Sequence, residues 1–530
     1  MRGDGRPQGD ALRLAESAEE RLRPLLRARN LAWWDANVEA TEANERRRAE
    51  ADLAWSDALA DRGLFAEVER VRARADGLVR RRLDLLRDEM LPRQVPDALR
   101  RRIVELEASA EACFARHRGV VRGREVSDNE ILRILRESDD PEERREAWEA
   151  SKTVGAAVAE DVRELARLRN EAARALGYRD WYALALATDE LDEGRLHATL
   201  AAADRATAEP FARWKAALDA RLAERFRCAP ADLRPWHYAD PFFQEVPPDG
   251  ALDLDPLFRG TDVVALARRT FEGLALDVDG VLARSDLFPR AGKCQHAFCI
   301  DVDRAGDVRV LANVTHDQRW AETMLHELGH AVFDLGFDPE LPWLLRTTHL
   351  VTTEATAILC GSLAGEREWL ERVLGLSPAE GAELEQRLRA RRAAELLVFT
   401  RWVLVMNGFE RALYRDPDGD LDRIWWELVA RHQLVTPVEG RKAPDWAAKI
   451  HVAVAPVYYH TYLYGTIAGL QIRDALYAEA GGIVDRPQAG EALARRLFAP
   501  GSALRWDELV ERASGRPLSV DALAREVAAA

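Results

Sequence analysis

The chain has 530 residues, 47% hydrophobic and 32% charged, which is ample for a large core and excludes a disordered chain or a disulfide-stapled miniprotein. Its 91 acidic side chains outnumber 76 basic ones, for a formal charge of −15, and this argues against a nucleic-acid partner because phosphate binding needs a net basic face. The five cysteines (Cys113, Cys228, Cys294, Cys299, Cys360) are odd in number and widely spread, so no disulfide framework is expected. No run of about 18 uncharged apolar residues predicts a membrane span. The first residues also lack the apolar stretch of a signal peptide. The expectation is a cytoplasmic protein with reduced thiols and no membrane partner, a monomer or a weak homo-oligomer.

In chain order, residues 10–120 read as long amphipathic helices, with apolar side chains recurring at three and four, as in ALRLAESAEERLRPLLRARNLAWW. Seven-residue spacing is not sustained, so these helices form a layer over a larger body and not an isolated coiled coil. Ser127-Asp-Asn-Glu130 predicts an N-cap with acids in the first turn of a second helical run. Pro, Gly and aromatics gather in 229–256, which predicts a packed loop lining a cleft. The clearest β signal is 294–314, two β-prone runs around a hairpin-like turn at Asp303–Asp307. Helical periodicity then holds almost to the C-terminus. With no Gly/Ser/Pro-rich linker, the expected organisation is an N-terminal helical region, 1–125, and a larger helical body, 126–530, in one continuous fold. No internal repeat, Walker-type loop or Gly-rich dinucleotide fingerprint occurs.

Directly after the hairpin stands WAETMLHELGHAVFDLGF. His326 and His330 are four apart and share a helix face, so both imidazoles can reach one ion at about 2.0–2.1 Å. Glu327 then sits beside the open coordination position, where it can take a proton from water. Two histidines at helical spacing can also be plain surface or core residues; the helix-after-hairpin context favours the metal reading. A catalytic zinc site needs a third protein ligand. Glu354, in the apolar helical stretch HLVTTEATAILCGSL, is the candidate, since burying an unpaired carboxylate is costly. The plainer alternative is an ordinary helix-end glutamate. Farther on, Lys449 and His451 alternate with Ala448 and Ile450, and Tyr458 and Tyr462 are four apart. Tyr and His donors commonly stabilise a developing oxyanion, although tyrosines at this spacing are more often core. Asp416–Asp422 superficially resembles a calcium loop, but Leu421 stands where an EF-hand needs Gly; an acidic helix start explains it better.

HELGH with a glutamate 24 residues beyond its second histidine resembles the angiotensin-converting-enzyme-like zinc metallopeptidases, which are related to thimet oligopeptidase and oligoendopeptidase F. The likeness extends to Trp34–Thr41, to the loop segment Trp236–Asp240, to Cys294–Ala297, and to the blocks 415–433 and 445–462. The resemblance implies a mainly α, two-lobed helical ellipsoid with a deep active-site cleft, an N-terminal helical lid and a small β-hairpin beside the HExxH helix. It implies one Zn²⁺ per chain on His326, His330 and Glu354, with Glu327 as general base and later general acid. It further implies that Ala297 offers its backbone to a peptide, His296 bonds a substrate carbonyl, Lys449 anchors a C-terminal carboxylate, and His451 with Tyr458 holds the oxyanion. Tyr462 is a further candidate there.

Four departures stand out, one of them Ile358 where the family has an Asp one turn after the glutamate ligand. Where peptidyl-dipeptidase members place a carboxylate-binding Gln, this chain has Asp240. The second oxyanion Tyr falls on Thr461, for which Tyr459 or Tyr462 can substitute. An Arg that binds chloride in some members is His460. The implied activity is hydrolysis of short unstructured peptides. Lys449 favours release of C-terminal dipeptides, and Asp240 favours endo-cleavage. The alternative from another class is a non-catalytic, zinc-containing peptide-binding helical protein.

Overall fold

The structure, a computed structural model, describes residues 5–248 and 252–528; residues 249–251 of the expected 229–256 loop lie outside the described residues. The fold is mainly α, as expected, and the only strands among the described residues form two small antiparallel hairpins. No helix among them is long and apolar enough to cross a membrane. The chain divides into two compact units, one of residues 1–94, 253–388 and 464–519, the other of 95–252, 389–463 and 520–530.

The first unit opens with four helices, Gly5–Val38, Glu42–Leu59, Arg62–Arg72 and Gly77–Met90. Short polar residues punctuate them: Thr41 accepts from the Asn44 N–H, and Asp61 from those of Gly63 and Leu64, satisfying donors a helix start leaves open. Their apolar stripes share one core, including Leu22, Leu59, Leu83 and Leu86, which also takes in Trp343 and Leu344. A buried ion pair, Arg82 on Glu19 at 2.9 Å, locks two of these helices together. The same Glu19 oxygen accepts the Leu344 N–H at 3.2 Å.

The hairpin falls where the pattern put it. Phe298–Asp301 pairs with Val308–Leu311, Phe298 opposite Leu311. Asp301 and Asp303 tie the turn by accepting the N–H groups of Asp303, Arg304, Ala305 and Asp307. Two of the quoted sequence blocks meet beside this hairpin. The Cys294 N–H donates to Asn37 and the Ala40 N–H to Gly292, both at 2.9 Å, while Trp33 packs on Phe298 with ring centres 4.2 Å apart.

In the second unit the long helix Pro141–Ala175 starts at an Asp140 cap with Pro at its first position, the place where a missing N–H costs nothing. Ser127 caps the preceding helix, Asp128–Glu137, in a reciprocal box with Glu130. The described part of the 229–256 loop packs, as its aromatics predict: its carbonyls are gripped from outside. Arg144, fully buried, donates to the carbonyls of Trp236 and His237; Lys152 donates to Pro241, and Gln433 to Phe242 and Phe243.

Candidate metal centre

His326, Glu327 and His330 lie on the helix Gln318–Leu335, which starts at Asp317, capping the Trp320 N–H. Glu354 lies on Leu350–Ser362. The two helices cross closely at two glycines. A Cβ on Gly329 would stand 2.9 Å from the Ala357 Cα, and one on Gly361 would stand 3.2 Å from the Glu322 carbonyl oxygen. Their missing side chains let the backbones approach, and this brings one ligand atom of each of His326, His330 and Glu354 within 4.8 Å of the others.

The residues fit a divalent cation on four grounds. The donor set is two imidazoles and a carboxylate. Glu354 Oε2 is buried without a hydrogen-bond partner, 3.8 Å from His326 Nε2. His330 is oriented through Nδ1, which bonds Thr353 Oγ1 at 2.6 Å and leaves Nε2 for the ion. Finally, burial lowers His326 to about 4 and His330 to about 3, so both are neutral at pH 7, the state in which imidazole ligates. Burial raises Glu354 to about 7. Glu327 is raised to about 8, by burial first and by the Glu354 charge second, while the Cys299 N–H bonded to it works the other way. Two acids this close and this dry cannot both ionise cheaply; a dication removes that conflict.

His296 and Ala297 stand in the same unit, immediately before the strand Phe298–Asp301, with His296 exposed. Lys449, His451, Tyr458, Tyr462 and Asp240 belong to the other unit. There Lys449 Nζ donates to Gln244 Oε1 at 2.8 Å. Asp240 is buried and occupied by its own loop: it accepts the N–H groups of Phe242 at 2.8 Å and Gln244 at 3.2 Å, and the Gln244 side-chain amide at 3.4 Å. Burial lowers Lys449 to about 8 against the pull of Asp240 and Glu245. His451, lowered to about 4 by burial and then by the Lys449 charge, packs against Tyr459 with ring centres 4.9 Å apart. The Tyr458 and Tyr462 rings meet edge to face at 5.1 Å.

Gln244 is the residue that sequence reasoning missed. It lies in the loop singled out for its aromatics, four positions after Asp240, but no spacing rule marks it; only the fold shows that a glutamine amide reaches the lysine.

The helical fold and a His-His-Glu group that could hold a metal ion are compatible with the zinc metallopeptidases, and two family models of that class match parts of the chain. The family model described as angiotensin-converting enzyme matches residues 7–201, and the one described as peptidase family M3 matches residues 282–529. Both are families of zinc metallopeptidases, and the chain is similar to the first through its N-terminal helices and to the second through the hairpin, the triad and the 445–462 block. No curated protein matches the chain.

Proposed function

We propose that this protein is a zinc-dependent peptidase of short unstructured peptides that releases dipeptides from a free C-terminus. The observation that carries the hydrolytic reading is Glu327: a second buried acid beside a carboxylate ligand serves no purpose in a purely structural metal site, and this argues against the non-catalytic alternative. Zinc on His326, His330 and Glu354 supplies Lewis acidity and a lowered pKa for water. The Glu327 carboxylate takes one proton from the attacking water as the new C–O bond forms. It returns that proton to the amide nitrogen as the C–N bond breaks, so the base ends as it began. The neutral His451 ring offers an N–H, and Tyr458 its hydroxyl, to the oxyanion. The Ala297 backbone pairs with the extended peptide, and His296 bonds a carbonyl.

The exo mode rests on Lys449 and Gln244. The Lys449 cation, present below about pH 8, pairs with a carboxylate, and the Gln244 amide, whose oxygen accepts from Lys449, keeps an N–H to donate beside it. Asp240, held by its own loop, supports the endo reading less than its position in the sequence implied. All five cysteines are free, which suits a cytoplasmic protein.

The test is a pool of unstructured peptides, each with a free or an amidated C-terminus, digested by zinc-loaded protein and mapped by mass. Dipeptides from free ends alone support the proposal. Internal cuts indifferent to amidation replace the exo mode by an endo-acting oligopeptidase, and tight zinc with no cleavage at all restores the non-catalytic alternative.

A further inference from the structure

The turn that leads into Tyr458 is strained and gripped at both ends. Val457 has φ +58°, a left-handed conformation that a β-branched residue adopts only when its surroundings compel it. Its N–H donates to Glu410 Oε1 at 2.6 Å. Glu410 comes from the helix Pro378–Arg415 and is 2% exposed. Four residues earlier, the Ala453 carbonyl, at the end of the short helix Ile450–Val454 that carries His451, accepts from Arg169 Nη2 at 2.6 Å. Arg169 is itself buried and fixed by Glu107 at 2.7 Å and the Tyr414 hydroxyl at 3.1 Å. Between the two grips, Pro456 has no N–H to give. Beyond them, the Tyr458 carbonyl accepts the Thr461 N–H at 2.9 Å, which opens the helix Tyr459–Ala480.

Arg169 and Glu410 thus hold one carbonyl and one N–H of the same turn. A buried glutamate can serve merely to satisfy a backbone donor, and were that all, the conformation of Val457 would be immaterial. Here the bonded N–H belongs to the one residue in a disfavoured conformation, and the next residue is Tyr458. We propose that Glu410 is a positioning residue: by holding Val457 in its left-handed conformation it sets the direction of the Tyr458 hydroxyl. This rests on the reading of Tyr458 as an oxyanion donor. Glu410 touches no reacting atom and acts through the turn.

The test crosses Glu410 with its two neighbours in the argument, in zinc-loaded full-length protein, with kcat and KM measured on one cleaved peptide and thermal melting measured in parallel. Tyr458→Phe is expected to lower kcat about 100-fold. Glu410→Met fills the space without an acceptor, and it lowers kcat about 10- to 100-fold with KM within about threefold. The pair combined falls no lower than Tyr458→Phe alone. Adding Val457→Gly to Glu410→Met restores most of the lost kcat, because glycine takes φ +58° unaided, a rescue that a general loss of stability would not show. Glu410→Gln keeps the acceptor and most of the turnover. Should Glu410→Met not fold, Glu410→Ala is read in its place. Wild-type kcat in the Glu410 variant, additive losses, or no rescue by glycine overturns the proposal while leaving Tyr458 its role. Wild-type kcat in Tyr458→Phe overturns that role and the proposal with it.

Discussion

In the unit that carries His326, His330 and Glu354, these three candidate ligands come from two helices whose residues lie within one stretch of sequence, and two glycines let those helices touch. In the other unit, Gln244 and Lys449 meet from positions about 200 residues apart, and the groups near them sit on a loop and a turn held by buried side chains from elsewhere. The first arrangement is set by helical periodicity, which is a local property. The second is set by single long-range hydrogen bonds, in which buried side chains pair with a distant side chain, carbonyl or N–H. Damage should therefore differ in kind: changes around the His326–His330–Glu354 cluster act on metal affinity or on the chemical step, and changes at the Lys449–Gln244 pair act on substrate choice.

The largest effect separates holding the ion from using it. Glu327→Gln leaves the two imidazoles and Glu354 in place and removes the base, so kcat falls about 10³-fold or more while metal content, measured by elemental analysis, stays at one per chain. A protein that loses its metal along with its activity breaks the distinction. Next comes the crossing itself. Gly329→Val drives a branched side chain into the Ala357 backbone, where even a Cβ would stand at 2.9 Å, and is expected to weaken metal binding about 10- to 100-fold. Gly361→Ala, whose Cβ meets its neighbours at 3.2–3.3 Å, should cost less. Equal metal affinities in a competition titration would show that the crossing does not set the ligand geometry.

The substrate-side counterpart is smaller and selective. Lys449→Met or Gln244→Ala raises KM for peptides with a free C-terminus about 10-fold, the worth of one charge-assisted hydrogen bond, and leaves amidated peptides unaffected. The pH dependence sharpens it. Burial lowers Lys449 to about 8, so the cation is present below that pH and lost above it. KM for free-ended peptides therefore rises above about pH 8 in the wild type, and Lys449→Met lacks that rise. A uniform effect on both peptide classes would remove Lys449 from carboxylate binding.

The same contrast explains what was legible in the sequence. The hairpin at 298–311 and the Ser127 cap follow from turn chemistry and capping, and the structure has them where the pattern put them. His326, Glu327 and His330 follow from spacing, and Glu354 from the cost of an apolar helix carrying one acid. Asp240 was found by its place in a motif, but its carboxylate is already committed to Phe242 and Gln244, and that is invisible without the loop's conformation. Gln244 and Glu410 carry no pattern at all. Each sits in an unremarkable local context and acquires its partner only when segments far apart in the chain come together. Hydrophobic periodicity predicts which face of a helix is buried, but it is silent on which buried polar atom a distant backbone will need.

Glu410 provides the smallest effect and a check on how its grip works. Burial raises its carboxyl to about 8, with the Val457 N–H and the Arg169 charge opposing. A carboxyl whose folded pKa lies above its ordinary value stabilises the fold fully below the ordinary carboxylate range, and that stability is lost as pH rises toward about 8. The melting temperature of the wild type should accordingly fall relative to Glu410→Gln between about pH 5 and 8, by roughly 1–3 °C in so large a chain. Parallel curves would mean that Glu410 ionises in the usual range. The comparison also separates stability from positioning. A protonated carboxyl still accepts through Oε1, so the hold on Val457 survives the titration in either charge state. Across that window kcat should not follow the melting temperature; if it did, the charge on Glu410, and not its acceptor oxygen, would be what orients Tyr458.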